Sequence, residues 1–584
     1  MDRILFSGNE AIARGAYEAG VKVCSAYPGT PSTEVFEALP QYRDSLYCEW
    51  APNEKVATEV AYGASLAGVR SLCAMKHVGV NVAADPIFTA AYNGVGGGFV
   101  IVSADDPSMH SSQNEQDNRH YARAAKLAMV EPSDSQECLD FMREAYRISE
   151  QFDIPVLFRT TTRVAHSKSI VTFGEREEQE AKPYARNTRK NIASPANAFL
   201  NHPKLEKTLE ALEAYGCTSP LNRMELNGTK VGVISASIAY EYAKDAFPAD
   251  TSFLKLGLTN PLPMDLIRSF AEKVEKLYII EELDDFMESQ IRAAGIACEG
   301  KSLTGKLYEL NPQLLKERIF GRKAETVDVG VSAVSRPPAL CPGCPHRGFF
   351  YTMSRHKDFV ISGDIGCYTL GNAKPLNAVD TCLCMGAGIT VAQGFSVVEP
   401  GKKALSFVGD STFFASGMTG IANAVYNQHD ITVCVLDNAT TAMTGSQPHP
   451  GTGVTLMGPK SEPISIEAVL RALGVKVITH ANPLRLDEAR EAAREAIYYD
   501  GPSAIIFESP CVKLIKPGAP VRYCEEACTG CGKCVLKIGC PALSWDAENR
   551  RPVVDASLCN GCGLCTYLCE DGALECDGNE GSAQ

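Results

Sequence analysis

Residues 408–440 read VGDSTFFASGMTGIANAVYNQHDITVCVLDNAT. An apolar run, KALSFVG, ends at Gly409-Asp410. A helix-like stretch, SGMTGIANAVYN, follows, and a second apolar run, ITVCVLDN, ends at Asn438. Short apolar runs bounded by turn formers read as strands buried on both faces, and strand–helix–strand is the repeating unit of a parallel sheet. Both strand ends then project from the same carboxyl edge, the side of an open α/β sheet on which ligands bind. Asp410 and Asn438 converge there although 28 residues separate them.

The same alternation extends outward in both directions. FVISGD and SAIIFES complete a strand set over residues 335–515. Residues 1–170 carry CSAYP, RSLCAM, GGFVIVSA and IPVLFRT as strands, with NEKVATEVAYGASLAG as a helix between them. A smaller α/β unit, 226–334, opens at KVGVISASIAYEYAKDA and continues through FLKLGL and LYIIEEL. Residues 171–225 include the polar, Pro- and Asn-rich GEREEQEAKPYARNTRKNIASPANAFLNHPKL and read as a linker. The last stretch, 518–580, is short, cysteine-dense and Gly-rich. The expected fold class is α/β, with three parallel-sheet domains and a small α+β tail.

Composition narrows the function classes. The 584 residues are 45% hydrophobic and 22% charged, as in an ordinary globular protein, and the net charge is −14. That charge argues against a nucleic-acid binder, which needs a basic face. No apolar run of about 18 residues exists, so no membrane-spanning helix is expected. The opening MDRILFSGNEAIARG lacks a long apolar stretch, and a cytoplasmic location is expected.

Of 23 cysteines, ten lie between Cys524 and Cys576. Such density in an intracellular chain reads as metal ligation. Cys528, Cys531, Cys534 and Cys540 are spaced C-x2-C-x2-C-x5-C and are followed by Pro541; Cys559, Cys562, Cys565 and Cys569 are spaced C-x2-C-x2-C-x3-C. In two-cluster folds three close cysteines wrap one 4Fe–4S cluster and the fourth crosses to the other. That rule assigns Cys528, Cys531, Cys534 and Cys569 to one cluster, and Cys540, Cys559, Cys562 and Cys565 to the second. The tail resembles a bacterial two-cluster ferredoxin, with a longer first run and Glu570 in place of the usual proline. A pair of zinc sites is the competing reading. Cys524 and Cys576 fall outside the pattern and read as free thiols.

A carboxylate, an amide oxygen and a main-chain carbonyl make a hard-oxygen set suited to Mg²⁺, which keeps phosphate oxygens and water as its other ligands. The Gly409–Asn438 segment resembles the thiamine-diphosphate signature, Gly-Asp-Gly followed by Asn-Asn, with Ser411 for the third Gly and Asp437 for the first Asn. The resemblance implies that Asp410, Asn438 and the Thr440 carbonyl hold Mg²⁺, with Ser411 at the cofactor and Met385 and Gly386 near its thiazolium. Cys382 and Cys384 are placed in the same pocket.

Gly8-Asn9-Glu10-Ala11, Tyr27-Pro28-Gly29-Thr30-Pro31-Ser32 and Asn53-Glu54-Lys55-Val56-Ala57 resemble the first domain of pyruvate:ferredoxin oxidoreductases. Glu54 then matches the carboxylate that serves N1′ of the aminopyrimidine, with Glu59 as the competing candidate. Thr30 and Arg123 match residues near the oxoacid carboxylate, for which a bidentate Arg–carboxylate pair is a reasonable demand. His77 and Asn81 are candidates for the same pocket, or else ordinary core residues.

Cys341 and Cys344 in CPGCPHR, Cys367 in GDIGC and Cys511 in SPC match the positions that hold a cluster beside the cofactor in related enzymes. A third, proximal 4Fe–4S cluster is implied; a Pro/Gly turn lining the pocket is the alternative. Domain order, with GDSTFFASG and LDNATTAMTGSQPHPGTG, resembles the α subunits of indolepyruvate-type 2-oxoacid:ferredoxin oxidoreductases over nearly the whole chain. The resemblance implies a pyrimidine-binding-type domain (1–170), a transketolase C-terminal-like domain (226–334), a diphosphate/Mg-binding-type domain (335–515) and a ferredoxin-type domain (518–580). It further implies coenzyme A-dependent oxidative decarboxylation of aryl pyruvates, ferredoxin as acceptor, and a smaller β subunit with the γ-type domain in a heterodimer or heterotetramer. A non-oxidative thiamine-diphosphate decarboxylase or carboligase, another 2-oxoacid:ferredoxin oxidoreductase, and an electron-transfer subunit with a dead thiamine site are the other readings.

Overall fold

A computed structural model describes residues 3–576 apart from 326, 328, 333, 357 and 400–402. Residues 577–580, the end of the expected ferredoxin-type stretch, lie outside the described residues. The chain forms two units, residues 1–330 and 331–584.

The first unit is organised by a seven-stranded sheet in the order Leu258–Asn260, Ala128–Val130, Val156–Thr161, Phe99–Asp105, Ser71–Lys76, Val23–Ala26, Tyr47–Trp50. All its pairings are parallel except that of the Leu258–Asn260 edge. Ser71–Lys76 and Phe99–Asp105 are buried along their whole length, which is why they read as continuous apolar runs. Asn53 caps the helix Glu54–Leu66 by accepting a hydrogen bond from the Val56 N–H at 2.9 Å. The cap fixes Glu54 as the first helical residue. A second sheet orders Lys276–Ile280, Val231–Ala236, Ser252–Leu256 and Arg223–Glu225, with the last strand antiparallel.

The stretch 171–225 departs from the linker expected of it. Pro195–Gly216 is a helix of 22 residues, capped by Ser194 and burying Leu205 and Leu212. Pro195 sits at the first turn, where a missing N–H costs nothing, and Pro203 is carried inside the helix. Ahead of it the chain is strapped to the first sheet's helices: Glu177 N–H donates to Glu18 O at 2.7 Å and Lys182 N–H to Gly68 O at 3.1 Å. Polar composition concealed the strap, whose order comes from tertiary contacts, and the Pro- and Asn-rich first turns concealed the helix, whose second half is rich in helix formers.

Buried ion pairs knit this unit: those of Arg119 tie its two sheets together, and those of Arg159 join strands of the seven-stranded sheet. Arg119 donates to Glu281 at 2.6 Å, to Asp117 and to the Glu282 carbonyl at 2.7 Å. Arg159 donates to Asp105 at 2.8 Å and to Glu131 at 2.5 Å, and Glu131 also accepts from the Thr259 hydroxyl at 2.6 Å.

The second unit carries a fully parallel six-stranded sheet: Thr381–Cys382, Ile361–Gly363, Ala404–Gly409, Ile431–Asp437, Ser503–Glu508, Val477–Ala481. The cysteine-rich tail adds two small antiparallel pairs, Arg522–Tyr523 with Leu574–Glu575 and Leu543–Asp546 with Arg551–Val554. It shares one hydrophobic core with the sheet: Val521, Ile538, Leu564 and Leu568 pack in the same cluster as Phe349, Phe350, Phe407 and Phe507. Among the described residues no helix is long and apolar enough to cross a membrane.

Arg119→Ala leaves Asp117 and Glu281 buried without their cation, and breaking such a pair costs about 3–5 kcal/mol. The urea midpoint of the first unit should fall accordingly; an unchanged midpoint would show that the network contributes no net stability.

Candidate cofactor site and cysteine cavities

The register of the parallel sheet sets Gly409 opposite Leu436, so the residues just beyond, Asp410 and Asn438, leave the carboxyl edge side by side. Asn438 N–H donates to Asp410 Oδ2 at 3.2 Å, and Thr440 N–H donates to Asn438 Oδ1 at 3.2 Å. Ser411 N–H donates to Asp410 Oδ1 at 2.8 Å. Asp410, Ser411, Asn438 and Thr440 are all buried. After Thr412 the chain makes a π-turn, Phe413–Gly417, before the helix Met418–Tyr426; such turns cluster at functional sites. A carboxylate, an amide oxygen and a carbonyl, brought together by main-chain bonds, fit a Mg²⁺–diphosphate pair.

Two histidines flank this group that the motif reading did not single out, although both stand inside quoted motifs. His449 Nε2 lies 3.0 Å from Asp410 Oδ2, and His346 Nε2 lies 3.4 Å from Asn438 Nδ2. Burial drives His346 down to about 4, so it is neutral at pH 7. Burial, reinforced by the neighbouring Asp410, pushes Asp437 upward.

Asp364 is the residue that sequence reasoning passed over, noting it only as part of a cysteine motif. It ends the strand next to Ala404–Gly409 and is fully buried. Its carboxylate accepts from Tyr368 Oη at 2.7 Å, Gly386 N at 2.7 Å, Ile365 N at 2.8 Å and Gly409 N at 3.4 Å. Burial pushes it up to about 6 against the pull of those donors. One carboxylate thus fixes three loops of the carboxyl edge. Gly386 needs to be glycine: its φ is +80°, and a Cβ would stand 2.2 Å from Ser416 Oγ, which itself donates to the Met385 carbonyl at 3.1 Å. Met385 is half-buried, and Cys382 and Cys384 are exposed, with the Cys382 thiol donating to the Asp364 carbonyl at 3.5 Å.

The tail cysteines line two separate cavities. Cys528, Cys531, Cys534 and Cys569 border one. Cys540, Cys559, Cys562 and Cys565 border another. Each cavity therefore takes one cysteine from the other run, as the crossing rule requires. Main-chain N–H groups already point at two of the sulfurs, Val521 at Cys559 (3.4 Å) and Ala573 at Cys569 (3.0 Å).

Cys341, Cys344, Cys367 and Cys511 come from three segments and face one another. Burial pushes the Cys367 thiol up to about 11, with Cys341 and Cys511 adding to the shift; it pushes Cys344 up to about 12, with Cys341 and Cys367 among its neighbours. Cys511 N–H donates to the Asn438 carbonyl at 3.0 Å, which joins this group to the Asp410 site. A tetrahedral zinc needs sulfurs about 3.8 Å apart. Among the described residues no three cysteine sulfurs lie within 4.8 Å of one another.

In the first unit, Glu54 is buried and its side chain packs on Gly79, where a Cβ would stand 2.8 Å from Glu54 Oε1. Burial pushes its carboxyl up to about 7. Glu59, one turn on, is exposed and paired with Lys55, a solvated helix face. Thr30 is half-buried in the turn after Val23–Ala26. Arg123 is exposed on the helix Arg119–Ala125. His77 is a core residue with Nε2 3.2 Å from the Asn114 carbonyl, and Asn81 accepts from Tyr121 Oη at 2.6 Å.

Residues 14–214 match the family model described as pyruvate flavodoxin/ferredoxin oxidoreductase, thiamine diphosphate-binding, and residues 364–507 match that of the thiamine pyrophosphate enzyme C-terminal TPP-binding domain. The indolepyruvate oxidoreductase subunit IorA of Archaeoglobus fulgidus is 41% identical across 98% of this chain and 97% of its own length. The chain belongs to the IorA family. The IorA of Pyrococcus horikoshii is 38% identical over 98% of this chain and 97% of its own. A solved 2-oxoglutarate:ferredoxin oxidoreductase from Magnetococcus marinus aligns with a TM-score of 0.47 at 18% identity, covering 55% of this chain and 65% of that one. The IorA relatives extend across the cysteine tail, which the two family models do not reach.

Glu54 carries its own test. Its carboxyl ordinarily titrates near 4.5 and in the fold near 7. Between those values the folded chain holds a proton that the unfolded chain has released, so this site's contribution to stability falls as pH rises through the window. Glu54→Gln should therefore raise the stability of the cofactor-free chain at pH 8, by up to about 3 kcal/mol. Near pH 4.5 the gain should vanish. Urea titrations at the two pH values decide it; an equal difference at both would refute the burial argument.

Proposed function

We propose that this chain is the cofactor-bearing subunit of a coenzyme A-dependent 2-oxoacid:ferredoxin oxidoreductase that converts aryl pyruvates, indolepyruvate among them, to arylacetyl-CoA and carbon dioxide. Two electrons per turnover leave singly for ferredoxin. The observation that carries the oxidative reading is the pair of four-cysteine cavities built into the core of the unit that holds Asp410 and Asn438. A decarboxylase or carboligase of the thiamine class has no use for such an exit.

Bound thiamine diphosphate supplies the nucleophilic carbon and the electron sink for decarboxylation. The chain's residues do the rest. Asp410, Asn438 and the Thr440 carbonyl hold Mg²⁺, and Ser411 meets the diphosphate. Met385 and Gly386, held by Asp364 and Ser416, shape the thiazolium pocket. Glu54 holds or accepts a proton at the aminopyrimidine N1′; a carboxyl that titrates near neutrality is suited to that exchange. Arg123 and Thr30 bind the oxoacid carboxylate. Cys341, Cys344, Cys367 and Cys511 hold a proximal 4Fe–4S cluster, and the tail holds two more, ligated as the cavities group them. A smaller β subunit with the γ-type domain completes a heterodimer or heterotetramer in the cytoplasm.

The anaerobically purified heteromer, given indolepyruvate, coenzyme A and an oxidised viologen, should form the acyl-CoA with two dye equivalents reduced per carbon dioxide. Aldehyde without dye reduction would favour the non-oxidative reading. Glu54→Ala should lower turnover by about 10²–10⁴-fold; undiminished turnover would remove Glu54 from the mechanism. Iron should come to about twelve per chain for three clusters, and about eight would remove the proximal one.

A further inference from the structure

Among the described residues, Arg347 stands apart from the other buried arginines. Arg70, Arg119 and Arg159 each face carboxylates. Arg347 is 3% exposed, and among the described residues no carboxylate lies within ion-pair distance of it. Its guanidinium instead donates to main-chain carbonyls: Nη1 to Ile538 at 3.0 Å and Gly539 at 2.7 Å, Nε to Cys341 at 3.4 Å, and Nη2 to Leu340. Burial pulls the guanidinium below its ordinary value, and the opposing groups nearest it are the thiols of Cys540, Cys344, Cys341 and Cys562.

A buried cation without an anion is costly, and such groups are retained where something compensates the charge. Four carbonyl dipoles do part of that. The remaining charge points at two groups of cysteines at once. Arg347 lines the cavity bordered by Cys540, Cys559, Cys562 and Cys565, and it bonds the main chain of Cys341, a member of the other group. Gly539, whose carbonyl accepts from Nη1 at 2.7 Å, is joined directly to Cys540. One guanidinium is therefore the hydrogen-bonded link between Cys341 and the peptide preceding Cys540.

We propose that Arg347 is the shared counter-cation of two neighbouring iron–sulfur sites, the Cys341/Cys344/Cys367/Cys511 group and the Cys540/Cys559/Cys562/Cys565 group, and that it sets the potential at which an electron crosses between them. This rests on the cluster assignment proposed above. A thiolate-bound cluster becomes more negative by one charge on reduction, so a fixed cation in a low-dielectric contact favours the reduced form and raises the potential. In the crossing itself the first cluster is oxidised by one electron and the second reduced by one, with no other reactant. Facing both sites, the guanidinium keeps their potentials close enough for the transfer to run without a large uphill step, and it screens the repulsion between them.

Redox titrations of the anaerobic holoenzyme, followed by electron paramagnetic resonance, test this apart from turnover. Arg347→Gln keeps a polar side chain and removes the charge. At least one cluster potential should fall by 59 mV or more, a tenfold change in the one-electron equilibrium constant. Arg347→Lys keeps the charge, and its potentials should stay within half that shift. A glutamine variant with full iron and unaltered potentials would overturn the proposal, as would a lysine variant shifted as far as the glutamine one. If the glutamine variant loses iron, the lysine variant decides alone: full iron with held potentials supports a charge role, and loss of iron assigns Arg347 to holding the fold. The wild-type iron content judges the underlying assignment separately, since about eight irons per chain would leave only one of the two sites.

Discussion

The main-chain hydrogen bonds that hold Ala404–Gly409 parallel to Ile431–Asp437 are the constraint on which the site depends. A one-residue slip would turn every side chain of a strand to the opposite face. In register, they deliver Asp410 and Asn438 to one point of the carboxyl edge. The neighbouring strand, Ile361–Gly363, brings Asp364 in beside them, and Asp364 then gathers Gly386, Gly409 and Tyr368. Four separate stretches of chain meet because one ladder keeps its register, and no loop has to find its place unaided.

That edge is dry, and burial governs its electrostatics. Asp364 and Asp437 are pushed up and His346 down by the same desolvation, and in the other unit Glu54 is pushed up to about 7 by it. Groups so placed exchange protons near neutrality or remain uncharged, which suits chemistry in which charge develops on a bound ring and not on the protein. Where the chain buries a full charge it pairs it, as at Arg119 and Arg159, or aims it at sulfur, as at Arg347.

The parallel strands were legible for a physical reason: strands buried on both faces must be continuous apolar runs. Cys569 and Cys540 could be assigned across the two runs from spacing alone, and the cavities group them that way. The helix Pro195–Gly216 was missed because the polar, Pro- and Asn-rich run ahead of it extends into its first turns; its second half, LEKTLEALEAYG, is rich in helix formers and buries Leu205 and Leu212. Asp364 was hidden for a different reason. A lone aspartate after a strand looks like any turn residue, and its role exists only once Gly386, 22 residues on, folds back onto it. Glu54 and Glu59 could be ranked only by resemblance until burial separated them. The sequence places them five residues apart on one helix, and the fold buries one and leaves the other in water with Lys55.

The tail's attachment bears on how electrons can leave. A tethered ferredoxin would carry its own core and touch its parent domain through a polar seam. Here Val521, Ile538, Leu564 and Leu568 share a core with Phe349, Phe350, Phe407 and Phe507, and Arg347 crosses between the two with its carbonyl bonds. Gly348, next to Arg347, sits so close that a Cβ there would stand 1.8 Å from the Pro483 carbonyl. Packing of that density leaves no room for the cysteine groups to drift relative to the Asp410 edge. If the proposed clusters carry electrons, a fused core holds their separation fixed where a swinging domain would vary it. The bond from Cys511 N–H to the Asn438 carbonyl acts in the same sense: the two residues follow neighbouring parallel strands, Ile431–Asp437 and Ser503–Glu508, whose register holds them together.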